Sequence, residues 1–135
     1  MVKISARYTG DLHCDVSHGP SGIMIATDAP KDNHGRGEAF SPTDLVAAAL
    51  ATCMLTVMGI TANKLGIRIE GAEIEVVKSM VMAPTRRIGT LAVHVRMPTV
   101  AHEEDRRALI LAAETCPVKE SLLAELDVPI HFSWA

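Results

Sequence analysis

The chain has 135 residues, 48% of them hydrophobic but with only one Trp, one Tyr and two Phe, so a single domain over 1–135 is expected, its core built from Ala, Val, Leu, Ile and Met. A net charge of −3 and the lack of any basic run exclude an ordinary nucleic-acid partner. Three cysteines, an odd number, argue against a structural disulfide framework and leave thiol chemistry open.

The N-terminal stretch MVKISARY has no apolar signal core, which makes a cytoplasmic location the expectation. Val2 to Thr9 alternates apolar and polar residues and predicts a half-buried strand. Gly10-Asp11 predicts a two-residue hairpin turn, Leu12 to Ser17 the returning strand, and Ile23 to Ala26 a third strand after the Gly and Pro of 18–22. Asp28 to Phe40 is a long polar loop that delivers Arg36 and Glu38 just before the next element.

That element, Ser41 to Leu65, dominates the chain. Ser41 is placed to accept from a free backbone N–H, Pro42 fits the first helical position and Asp44 suits the positive end of the helix dipole. From Leu45 to Ala62 there is no charged residue, a length that reaches the range of a membrane span. Its Ala and Thr content, with Asp44 and Lys64 at the ends and no basic cluster, argues against lipid. A helix apolar on every side must instead be buried on every side. With so few other elements to cover it, a second copy of the chain is the cheapest source of cover, so a homodimer is expected.

Downstream, Ala72 to Met82 and Arg86 to Met97 read as two long antiparallel strands. Glu103-Glu104-Asp105 opens a helix to about Glu114, Cys116-Pro117 breaks it, and Val118 to Leu126 predicts a shorter helix. Val128 to Trp134 closes the chain as a strand, giving an α+β arrangement.

Two cysteines sit in suggestive settings. Pro117 makes Cys116 the expected N-cap of the last helix, where unpaired N–H groups favour a thiolate. Cys53, in the middle of the long helix, gets no such help and needs a cation; Arg7, Arg36, Arg86 and Arg87 are the candidates. The pair suggests an attacking and a resolving thiol, although mere packing also accounts for a buried cysteine. Cys14 lies beside His13 without paired metal-ligand spacing, so no metal site is expected. His94 and His131 are assigned to polar strand faces, and Met54, Met58, Met80 and Met82 to the core.

Ser41-Pro42, Leu45, the small residues Ala47 to Ala51, Cys53 and the distant Cys116-Pro117 together resemble the OsmC/Ohr superfamily of thiol-dependent peroxidases, over nearly the whole chain. The resemblance implies an OsmC-like fold, antiparallel sheets with a long central apolar helix, and an intertwined homodimer with active sites at the interface. It implies that Cys53 is the peroxidatic residue and Cys116 the resolving one. A hydroperoxide would oxidise Cys53 to a sulfenic acid, Cys116 would close a disulfide, and an external dithiol would reduce it, with no bound cofactor. Family members carry Glu directly after the motif Pro, paired with an Arg in an early Gly-Gly-Arg turn. Here those places hold Thr43, with Asp44 next, and the Arg-free turn Gly10-Asp11-Leu12-His13. Arg36 and Glu38 are the candidate substitutes. The alternative is a dimeric small-molecule-binding protein on the same fold, without efficient turnover.

Overall fold

The computed structural model describes residues 1–135 and divides into two compact units, Met1–Val46 and Ala47–Ala135. The first is built on an antiparallel meander, β1 (Ile4–Gly10), β2 (His13–His18) and β3 (Met24–Asp28), in that order. The first hairpin turns one residue later than the sequence predicts. Asp11 and Leu12, at φ 53° and 59°, form its corner, and the pairing resumes at Gly10↔His13 after a bulge. Two successive left-handed residues match the twist of the flanking strands. Gly10, at φ 98°, supplies a backbone conformation that only glycine adopts without strain.

The 28–40 loop is folded back on itself. Its ends are tied by Asp28 N–H to Phe40 O at 3.1 Å, and a 3-10 turn at Lys31–Asn33 folds its middle, with Asn33 and Gly35 both donating to Pro30 O.

Helix α1 (Pro42–Leu65) starts where the sequence places it. Ser41 Oγ accepts from Asp44 N–H at 3.1 Å while the Asp44 carboxylate accepts from Ser41 N–H at 2.9 Å. This reciprocal pair satisfies two donors that the helix itself leaves unbonded.

The second unit holds the sheet β4 (Glu73–Val81), β5 (Arg87–Met97) and β6 (Ile130–Trp134). β4 and β5 are antiparallel as expected. β6, however, lies parallel to β5, so this sheet is mixed rather than wholly antiparallel. The cause is the crossover formed by α2 (Glu103–Glu114) and α3 (Pro117–Ser121), the kind of long connection that a parallel pair requires. α3 stops at Ser121, five residues short of the expected Leu126. The chain must straighten so that Asp127 and Pro129 carbonyls can accept from Leu91 and Val93.

The core of this unit comes from three sources: Leu50, Met54, Met58 and Ala62 of α1, the inward row Leu91, Val93, Val95 and Met97 of β5, and Leu109 and Ala113 of α2. The expectation that α1 is buried on every side fails for the single chain. Residues four apart form one buried stripe, while Ile60 remains 50% exposed and Ala49, Thr52 and Thr56 also face outward. Thr52 and Thr56 turn their hydroxyls back onto the carbonyls of Ala48 and Thr52, so the outward stripe offers mainly methyl groups. By length and composition alone α1 could cross a membrane.

Replacing Ser41 with Ala should lower unfolding free energy by about 1 kcal/mol through loss of the cap. Met54→Ala, which empties a fully buried position, should cost about 2–5 kcal/mol. Urea denaturation followed by circular dichroism gives both values, and equal costs would contradict this placement of the core.

Candidate active site

Two elements of the second unit carry the thiols. Cys53 sits in the middle of α1 on the stripe next to the buried one, half-buried. Cys116 occupies the joint between α2 and α3. Its backbone is extended (φ −63°, ψ 146°) because Pro117 follows, and α3 begins at that proline. The side chain is wholly buried, and its Sγ accepts from Lys119 N–H at 3.4 Å, as the sequence predicts for an N-cap.

The fold brings the two thiols near one another: Cys53 lies close enough to Cys116 to raise its ionisation. The predicted effect of the cap on ionisation is overturned. Burial pushes the Cys116 thiol above its ordinary value, and the neighbouring Cys53 raises it further. The N–H groups of Lys119 and Val118 pull the other way and do not prevail. Cys116 is therefore held as a thiol beside Cys53. Two thiols in contact, one shielded and protonated and one reachable from outside, can close a disulfide once the reachable one is oxidised.

The four candidate helpers lie in the first unit. Asp44 caps α1, and Thr43 Oγ1 lies 3.2 Å from Ser41 Oγ. Glu38 donates its backbone N–H to Asp28 Oδ2 at 3.1 Å, and its side chain is exposed. Arg36 is exposed beside a pair that the sequence reading missed, His13 Nδ1 with the buried Asp28 Oδ1. The hydrogen bond to Asp28 raises the His13 pKa, and the same bond lowers that of Asp28; the Arg36 charge lowers both. The strand register pairs His13 with Asp28 directly, so counting residues back from the hairpin would have revealed the contact. No group of three or more His, Cys, Asp or Glu side chains is arranged to hold a metal ion.

The OsmC-like protein family model matches residues 35–131, and the chain belongs to that family, within the OsmC/Ohr superfamily. A crystal structure from Psychrobacter arcticus 273-4, provisionally described as an osmotic stress induced and detoxification response protein, is 38% identical. The match covers 98% of this chain and 96% of that one with a TM-score of 0.92. An organic hydroperoxide resistance protein OsmC from Legionella pneumophila shares the fold at 22% identity, with 98% and 96% coverage and a TM-score of 0.79. One from Bacillus subtilis does so at 20% identity, with 98% coverage of both chains and a TM-score of 0.72. Among curated proteins no sequence match reaches significance.

Because its folded pKa is raised, the stability that the buried Cys116 thiol contributes is present below the pH where a free thiol ionises. It is lost as pH climbs through the folded value. Denaturation midpoints should fall on the alkaline side in the parent protein and fall less in Cys116→Ala; parallel curves would contradict the assignment.

Proposed function

We propose that the protein is a cysteine peroxidase that reduces organic hydroperoxides. The observation that carries this reading is the contact between Cys53 and Cys116 in a family whose solved members include organic hydroperoxide resistance proteins. In the first step the Cys53 thiolate attacks the O–O bond. The distal oxygen becomes a Cys53 sulfenic acid, and the alkoxide leaves as the alcohol after taking up a proton. In the second step the Cys116 sulfur attacks the sulfenic sulfur, its thiol proton departs with the hydroxyl as water, and a Cys53–Cys116 disulfide forms. An external dithiol then reduces that disulfide by exchange and is itself oxidised to a disulfide. No bound cofactor takes part in this cycle.

The working unit in this proposal is a cytoplasmic homodimer. The chain exposes 8759 Å², about 1,900 Å² more than the roughly 6,900 Å² expected for a folded monomer of this mass. Such an excess is of the order that an obligate interface buries. The methyl-rich outer stripe of α1 and the exposed Val2, Ile4, Tyr8, Ile23 and Met24 supply apolar area for it. A second copy, rather than lipid, provides the missing cover of α1.

Cys53→Ser should abolish consumption of cumene hydroperoxide in the presence of dihydrolipoamide, while Cys116→Ser with dithiols withheld should still reduce one equivalent and end as a Cys53 sulfenic acid in place of the disulfide. Activity that survives in Cys53→Ser would remove the peroxidase reading and leave the binding protein. For the assembly, Ile60→Glu should convert the dimer to a monomer in light scattering; an unchanged mass would place the interface elsewhere.

A further inference from the structure

The outer face of the β4–β5–β6 sheet carries a cluster of side chains that the thiol site does not use. Because Leu91, Val93, Val95 and Met97 turn inward, strand alternation sends Ala92, His94 and Arg96 to the opposite face. The register places Glu75 across from His94 on the antiparallel side and His131 across from His94 on the parallel side. A row of one carboxylate and two imidazoles therefore crosses three strands. The two imidazole centroids are 5.1 Å apart with planes inclined by 48°. Beside them lies a cavity of about 380 Å³, with Val77, Ala92 and Ile130 among its walls. Ser133 Oγ lies 3.2 Å from His94 Nε2, a bond that steadies the ring and leaves Nδ1 as its other ligating atom.

We propose that His94 and His131 chelate a divalent late transition-metal ion of the Ni²⁺, Cu²⁺ or Zn²⁺ type, with Glu75 as an accessory oxygen ligand and water completing the shell. Imidazole nitrogen suits these ions over Mg²⁺ or Ca²⁺. Two nitrogens bound to one such ion stand about 3.3 Å apart in tetrahedral geometry. Rotation of two neighbouring side chains reaches that spacing, because the paired strands have already fixed the backbone. The resting arrangement does not bring three ligands together, so Glu75 joins only through a change of rotamer. Its negative charge then offsets part of the charge of the ion. In the adjoining row Glu73 is bonded to Arg96 at 3.2 Å, which leaves Glu75 as the carboxylate in register with the histidines.

The test is a Ni²⁺ titration of the intact 135-residue chain, read by the imidazole resonances of its six histidines and by calorimetry. His94 and His131 should broaden first, at metal concentrations that leave His18 and His34 sharp. His131→Asn should weaken Ni²⁺ binding at least tenfold, and His18→Asn should leave it unchanged. Parallel broadening of all six histidines, or full affinity in His131→Asn, overturns the proposal. Loss of Ni²⁺ binding in Cys53→Ser/Cys116→Ser would assign the ion to the thiols and overturn it equally.

Discussion

The approach of Cys116 to Cys53 is the interaction on which the proposed chemistry depends, and several otherwise ordinary features hold it. The residues are far apart in sequence, so their meeting requires α1 to start at a fixed residue and α2 to end at one. The reciprocal bonds of Ser41 and Asp44 fix the first of these limits, and the Cys116-Pro117 step fixes the second. Between them, the buried stripe Leu50, Met54, Met58 and Ala62 sets the rotation of α1 and so the direction of Cys53. Moving any of the three would carry one sulfur away from the other.

In the proposed cycle the environment divides labour between two chemically identical groups. Cys116 is enclosed, and enclosure penalises its charged form more than two backbone N–H groups can offset. Cys53 keeps partial access to the outside. A hydroperoxide-reducing cycle needs this asymmetry: an accessible sulfur to meet the oxidant, and a shielded partner that reacts only when the first has been oxidised.

Much of this was legible in the sequence because it is written in local chemistry. Ser41-Pro42 with Asp44 announces a helix start, Cys116-Pro117 announces another, and Glu103-Glu104-Asp105 a third; all three lie within a residue of the observed limits. The apolar row Leu91, Val93, Val95 and Met97 alternates with Ala92, His94 and Arg96, and the apolar row is the buried one. What was not legible depends on pieces distant in sequence. Strand alternation reads the same whether β6 runs parallel or antiparallel to β5, so the mixed sheet was invisible. The direction of the Cys116 shift turns on how deeply the sulfur is buried, which no cap motif encodes. The His13–Asp28 and His94–His131 pairs follow from strand register, and a third strand expected to end at Ala26, two residues short of Asp28, hid the former.

The central claim is that the two sulfurs form one redox unit, and a thiol count after a single equivalent of hydroperoxide tests it most directly. Reduced protein should lose two of its three thiols, and peptide mapping should show Cys53 joined to Cys116 with Cys14 still free. Retention of all three thiols, or a disulfide that includes Cys14, would contradict the account.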